Sequence, residues 1–216
     1  MSTHMTDEHS ILERALRRGA AAQNRGDDRA AEAARRLAQR VAEEGLADVV
    51  YAPVDSPFGD LLLAATGRGL VRLAFPEENV DSVLERISQR VSPRIVEAPG
   101  RLQEARRELD EYFAGRRHSF ELALDWSLVG GPFGREVLRV TSEIPYGGVL
   151  SYREVAADAG SPRGSRAAGN ALGSNPMPIV VPCHRVLRSG GGLGGYGGGV
   201  ERKRWLLELE GALAPR

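Results

Sequence analysis

The chain has almost no cysteine: Cys183 stands alone in 216 residues. A single thiol cannot form an internal disulfide, and one thiolate cannot supply a structural zinc site of the cysteine type. Long apolar runs are missing too, so no segment reads as a bilayer-spanning helix. The first nine residues, Met1 to His9, lack the basic and apolar regions of an export signal, which makes the reducing cytoplasm the expected compartment. Neither charge is in excess, with 29 Lys and Arg against 29 Asp and Glu. Bulk electrostatic coating of nucleic acid is thereby excluded, but a local basic face is not. Such a face is visible between Ser151 and Trp205. Arg153, Arg163, Arg166, Arg185, Arg188, Arg202, Lys203 and Arg204 there meet only Glu154, Asp158 and Glu201.

What is present falls into three stretches. Residues 1–47 read as helical, with one stripe at Ile11, Leu12, Ala15 and Leu16. A second runs through Ala30, Ala33, Ala34, Leu37, Ala38 and Val41, with Asp28 as its cap. This arm has no evident function and is expected to pack on the body. From about Ala47 the pattern changes to strands at Val49–Val54, Asp60–Ala65 and Leu70–Phe75, separated by turn-like Ser56-Pro57-Phe58-Gly59 and Thr66-Gly67-Arg68-Gly69. That spacing predicts an antiparallel meander. Helices are expected near Val80–Val91 and Leu102–Ala114, then a short strand over Phe120–Leu124. The break at Gly130-Gly131-Pro132 suggests three parts: 1–47, 48–130 and 131–216. The last part should open with a helix over Phe133–Ser142. Helices over Tyr152–Ala159 and Ser165–Gly173 around a short Gly160-Ser161-Pro162 turn have helix-turn-helix spacing. A final helix over Glu201–Glu210 should bury Trp205, Leu206 and Leu209.

Cys183 sits in Pro182-Cys183-His184-Arg185-Val186, just after a short apolar run. A lone cysteine is more often packing than chemistry, and a histidine beside it is weak evidence alone. A free thiol of pKa about 8.5 is only a few per cent ionised near neutrality, so a nucleophilic cysteine needs a base. His184 is the candidate, acting directly or through a water, and it needs an orienting acid. Glu210, Glu201 and Glu208 all remain open for that place. Small residues crowd the second helix of the helix-turn-helix, at Ala167, Ala168, Gly169, Ala171 and Gly173, which suits either core packing or close approach to another surface.

Taken together, several runs resemble the O6-alkylguanine-DNA alkyltransferases. They are Ile144-Pro-Tyr-Gly-Gly-Val-Leu-Ser-Tyr152, Arg166-Ala-Ala-Gly, Asn175-Pro, Pro182-Cys-His-Arg-Val186, Gly195-Tyr196, Trp205-Leu-Leu and Glu210-Gly211. Ser56-Pro57-Phe58-Gly59 and Tyr112-Phe113-Ala114-Gly115 resemble the family's N-terminal domain, so the likeness spans about residues 48–216. It implies an α/β (α+β) fold: a small ribonuclease H-like domain, then a winged-helix-like catalytic domain with a helix-turn-helix. It also implies direct-reversal DNA repair, with the alkyl group of O6-alkylguanine, and of O4-alkylthymine, moved irreversibly to Cys183 in a single turnover.

By position, the resemblance makes Cys183 the acceptor, His184 a base acting through water, Glu210 its orienting acid and Asn175 the brace of the cysteine turn. Tyr152 would help turn out the target nucleotide and protonate the departing guanine. Arg166 would fill the gap in the base stack, with Ala167, Ala168 and Gly169 against the DNA. Tyr196, Val186, Pro178 and Gly197 would form the base pocket. No metal and no cofactor is implied. The partner is double-stranded DNA, bound through the minor groove with the alkylated base flipped, by a monomer that can act cooperatively on DNA. Departures lie in Phe133-Gly134-Arg135-Glu136-Val137-Leu138 and at Gly148 and Gly197, where larger residues often stand; Gly197 is expected to admit bulkier alkyl groups. The alternative is a non-catalytic alkyltransferase-like sensor of alkylated DNA, but those relatives replace the cysteine. A cysteine hydrolase would need an oxyanion hole. A sequence-reading regulator would need side chains for base edges that this small-residue helix lacks.

Overall fold

The computed structural model describes residues 30–34, 36–37, 40–41 and 44–214. The stripe at Ile11 to Leu16, the Asp28 cap and Ala38 lie outside them. Residues 30–34, 36–37 and 40–41 are helical as expected, but they are exposed apart from half-buried Val41. Leu37 keeps 63% of its surface in water, so this described part of the arm does not pack on the body.

Three strands form the expected meander: β1 (Val49–Val54), β2 (Leu61–Thr66) and β3 (Gly69–Ala74). β1 and β2 pair antiparallel from Val49↔Thr66 to Val54↔Leu61, and β2 pairs antiparallel with β3. A fourth strand, β4 (Ile95–Glu97), adds in parallel beside β1, giving the order β3-β2-β1-β4. Its three residues are too few to show a period in sequence. The expected strand over Phe120–Leu124 is instead a single bridge between Leu70 and Leu124. Leu70 N–H donates to Ala123 O at 2.8 Å, and Asp125 N–H donates to Leu70 O at 2.8 Å. This crossing requires glycine at 69. A Cβ there would lie 2.1 Å from Ala123 O, and its φ of 132° is one that side-chain-bearing residues rarely adopt.

β2 is buried on both faces, which is why it reads as a continuous apolar run. Leu62 and Ala64 face α1 (Val80–Arg90), packing with Val49, Val71, Ala74, Val83 and Ile87. Leu61 and Leu63 face the other way, toward α2 (Gln103–Phe113), whose Ala105, Leu109 and Tyr112 are buried. That second face shares one core with the C-terminal half, through Val137, Leu138, Met177, Val181 and Leu206.

Pro132 opens α3 (Pro132–Ser142), where its missing N–H costs nothing. α4 (Tyr152–Asp158) starts at a capping box: Ser151 Oγ accepts from Glu154 N–H at 3.2 Å, and the Glu154 carboxylate accepts from Ser151 N–H at 2.7 Å. α5 (Ser165–Gly173) follows a turn that ends α4 with Gly160 at φ 81°. Two short strands, β5 (Leu150–Ser151) and β6 (Val186–Leu187), pair in parallel and tie the start of α4 to the cysteine segment. α6 (Val200–Leu209) buries Lys203, Leu206 and Leu207. Trp205 and Leu209, expected inside, are only half-buried, because the inward stripe runs 203–206–207–210. The overall class is the mixed α/β arrangement anticipated from sequence.

Candidate active site

Cys183 is delivered by a tight turn between α5 and β6. Asn175 holds it. Its Nδ2 donates to Val181 O at 2.8 Å and to Cys183 Sγ at 3.1 Å, and its Oδ1 accepts from Met177 N–H at 3.0 Å. Within the turn Ile179 sits at φ 75°, an unfavourable conformation for a β-branched residue. Burial keeps it there, since Ile179 is fully enclosed. Cys183 then starts a short 3-10 turn through Arg185, which turns His184 and Arg185 inward.

The thiol reaches a cavity of about 410 Å³. Tyr152, Arg166, Gly169, Leu172, Gly173, Arg188 and residues 194–197 line it. Tyr152 Oη donates to Gly195 O at 3.3 Å, joining α4 to the glycine-rich loop. The loop needs glycine at 194, where φ is 70° and a Cβ would meet Tyr152 Oη at 3.0 Å. A Cβ at Gly197 would meet only Gly173 O, at 3.9 Å. Arg166 is exposed at the N-terminal end of α5. Of the small residues beside it, Ala167 is exposed and Gly169 lines the cavity, but Ala168 is fully buried in the core. Its side chain packs and cannot meet DNA in this structure. Pro178 and Val186 are also buried and are not among the residues that line the cavity. Pro178 bridges to Val181 within the turn, and Val186 O accepts a 2.6 Å hydrogen bond from Lys203 Nζ.

Behind the thiol lies a fully buried charge cluster. His184 Nε2 is 2.9 Å from Glu210 Oε1. Arg185 Nε and Nη2 both donate to the same carboxylate at 2.9 Å, and Arg185 Nη1 donates to Ile144 O at 2.5 Å. Tyr112 Oη donates to Glu210 Oε1 at 2.6 Å. Of the three acids left open by sequence, the structure brings Glu210 to His184, while Glu201 is exposed. Burial alone would raise the Glu210 carboxyl, but hydrogen bonds from His184 and Arg185 overcome it and hold the group at about 2. An ionised carboxylate only accepts, so His184 carries its proton on Nε2 and presents a bare Nδ1, which is buried without a protein partner. Burial lowers the His184 pKa despite Glu210, keeping the ring neutral. Burial also pushes the Cys183 thiol up to about 11, against the opposing pull of Asn175 and of the Lys203 charge. Lys203 itself is brought down to about 8 by desolvation. Tyr196, whose ring lies edge-on to His184 at 6.4 Å, has a buried hydroxyl and a pKa well above the ordinary one, again from burial.

Sequence reasoning missed Arg185, Lys203 and Tyr112. Lys203 carried a signal, being a cation at an inward position of the α6 stripe. Tyr112 carried none, because its partner lies 98 residues away. Among the described residues no group of three or more His, Cys, Asp or Glu could hold a metal ion, and no helix is long and apolar enough to cross a membrane.

Two family models match the chain. Residues 49–126 match the ribonuclease-like domain of 6-O-methylguanine DNA methyltransferase, and residues 132–212 match its DNA binding domain. The chain belongs to this family. It is 42% identical over 165 residues to the methylated-DNA--protein-cysteine methyltransferase of Mycobacterium tuberculosis H37Rv, covering 76% of this chain and 94% of that one. The constitutive Bacillus subtilis family member is 38% identical over 161 residues, covering 74% and 94%. Among solved structures of the family, that of M. tuberculosis OGT in complex with DNA superposes with a TM-score of 0.65 at 42% identity, covering 74% of this chain and 92% of that one.

Proposed function

We propose that the protein repairs DNA directly, taking the alkyl group of O6-alkylguanine, and of O4-alkylthymine, onto Cys183. The observation that carries this reading is the only cysteine, held by Asn175 on a cavity whose mouth bears Arg166. The relatives carry the name methylated-DNA--protein-cysteine methyltransferase, and one was crystallised with DNA. In the resting protein the thiol is protonated. A water between Sγ and His184 Nδ1 passes the proton to the imidazole, whose Nε2–H is already anchored on Glu210. Asn175 Nδ2–H and the Lys203 charge stabilise the thiolate as it forms. Sulfur attacks the alkyl carbon, the carbon–O6 bond breaks, and its electron pair stays with the guanine. Tyr152 supplies the proton that the departing base needs and recovers it from the imidazolium through solvent, so thiol and alkylguanine become thioether and guanine. The product is a dialkyl thioether, whose unactivated carbon–sulfur bond water does not hydrolyse, so the protein is single-use.

The alkyl group is hidden inside a duplex, so the base must leave the stack at a cost of a few kcal/mol. Arg166 fills the gap, with Ala167 and Gly169 giving close approach in the minor groove, where little sequence is encoded; the exposure of Arg166 beside the cavity supports this reading. The protein acts as a monomer, in the cytoplasm, without cofactor. Mass spectrometry of the intact protein after incubation with a duplex containing O6-methylguanine tests the reading. The expected result is one added methyl, located at Cys183 and limited to one per chain, and none in Cys183→Ala. A methylated Cys183→Ala, or repeated turnover, would refute it.

A further inference from the structure

The Tyr112-Phe113-Ala114-Gly115 run belongs to the N-terminal domain, yet its tyrosine reaches the centre of the C-terminal one. Tyr112 is fully buried on α2, with ring neighbours Phe113, Phe120 and Tyr146 at 5.6, 5.2 and 6.2 Å. Its hydroxyl donates at 2.6 Å to Glu210 Oε1, the same oxygen that faces His184 Nε2. That length lies in the range of charge-assisted hydrogen bonds to a carboxylate. Glu210 is otherwise saturated from its own domain, by Arg185 on both oxygens and by Gly147 N–H at 3.4 Å on Oε2. Packing alone would be served equally well by phenylalanine, so the hydroxyl is the part that requires explanation.

We propose that Tyr112 is a positioning residue for alkyl transfer, through which the ribonuclease-like domain fixes the orientation of Glu210 and limits its pull on the His184 Nε2–H. The proposal rests on the assignment of His184 as the base for Cys183. A carboxylate that shares its charge with a phenol is a weaker acceptor for imidazole, so the imidazole stays neutral with Nδ1 free to accept a proton. The other titratable or charged groups near this pair are Arg185 and Cys183 on the 3-10 turn, Lys203 on α6 and Tyr196 on the glycine-rich loop. Tyr146 lies in the loop after α3, with His118 stacked on it at 4.1 Å. None but Arg185 and His184 bonds the carboxylate besides Tyr112 and the Gly147 amide.

Tyr112→Phe in the full-length protein removes the hydroxyl and keeps the ring. Single-turnover transfer from an O6-methylguanine duplex, followed across pH, should slow by about tenfold, the loss expected of one hydrogen bond to a charged group. The acid limb of the profile should move to higher pH, because Glu210 then draws His184 harder toward its protonated form. In a Glu210→Gln background the same change should have less than about a twofold effect, since the two residues act as one unit. A tyrosine serving only as packing would slow both backgrounds alike. Incorporation of 3-fluorotyrosine at 112, a stronger donor of nearly the same shape, should move the acid limb the opposite way and keeps the test open if Tyr112→Phe folds poorly. Unchanged rate and profile in Tyr112→Phe, or equal slowing in both backgrounds, overturns the proposal. Titration of His184 by imidazole nitrogen NMR needs no alkyl transfer. A His184 pKa that rises in Tyr112→Phe supports the coupling even if Cys183 proved unreactive, and an unmoved one refutes it even if Cys183 is methylated normally.

Discussion

Replacing Asn175 by alanine should damage folding and chemistry together, and the two losses can be worked separately. The side chain is buried and makes three hydrogen bonds. Its loss strands Met177 N–H, on a fully buried residue, with no other donor-acceptor pairing. Val181 O fares better, since it still accepts from Cys183 N–H at 2.8 Å. One orphaned buried amide plus one weakened carbonyl costs about 2–4 kcal/mol. The turn also holds Ile179 at φ 75°, so a slackened brace offers that residue a route back to ordinary backbone. For the chemistry, the thiolate loses its one side-chain donor, at 3.1 Å, which should slow transfer by roughly 10- to 100-fold. Urea unfolding at neutral pH measures the first loss, and the single-turnover rate of Cys183 methylation measures the second. Asn175→Asp separates them. It keeps an oxygen for Met177 N–H but sets a carboxylate beside the sulfur, so it should recover part of the stability and transfer still more slowly. A destabilisation under about 1 kcal/mol in Asn175→Ala, with transfer within threefold of the parent, would refute the bracing role.

Acid should unfold the protein through Glu210. Its folded pKa of about 2 lies below the ordinary 4.5, so its contribution is complete above 4.5 and disappears as pH falls toward 2. The amount lost is about 3 kcal/mol, and urea midpoints across that range should flatten in Glu210→Gln. His184, depressed by burial, adds loss of the same sign below its ordinary 6.5. Cys183 acts oppositely: its pKa is raised from 9.0 to about 11, so stability present below 9 is lost between those values, and Cys183→Ala should abolish that alkaline loss. Arg166→Ala should slow transfer from duplex DNA far more than from a free modified base; equal slowing in both assays would refute a role in the base stack. Gly198→Ala should cost about 1–3 kcal/mol, because its Cβ would fall 2.5 Å from the Phe75 ring. It should also displace Tyr196 and reduce transfer; an unchanged melting point and rate would show that the loop yields freely.

Local patterns were legible where the structure is local. The β1 to β3 meander follows from period-two and continuous apolar runs cut by turn residues, and Ser165–Gly173 forms the helix its composition suggests. The Ser151 cap fixed the start of α4 for the same reason. Where partners are distant, the sequence was silent or misleading. Phe120–Leu124 has strand composition, but it meets the sheet only through the bridge of Leu124 to Leu70, while further along β3 Leu73 N–H donates to Pro176 O instead. β4 exists only because β1 offers an edge. In the site, Cys183, His184, Asn175, Tyr152 and Tyr196 could be named from motifs, and the structure gathers them. Ala168, Pro178 and Val186 came with those motifs but serve the scaffold around the thiol. Lys203, Arg185 and Tyr112 complete the buried cluster through contacts spanning 17, 25 and 98 residues, which no spacing rule reaches.

These buried groups explain why the reactive group is so strongly protected. An acceptor used once gains nothing from a permanently ionised thiol, which would be lost to oxidants and stray electrophiles. Here desolvation holds Cys183 protonated and His184 neutral, while Glu210 keeps its charge because His184 and Arg185 hydrogen-bond it. In the proposed mechanism the groups that ionise the thiol are therefore assembled in advance, but the thiolate itself is not. Formation of the thiolate is favoured only when something in the cavity uses it at once, and in the proposed function the alkylated base entering the cavity lined by Tyr152 and the glycine-rich loop is that partner. Because the Tyr112 and Phe75 contacts come from the N-terminal half, the domain that bears no nucleophile still sets the conditions under which the nucleophile appears.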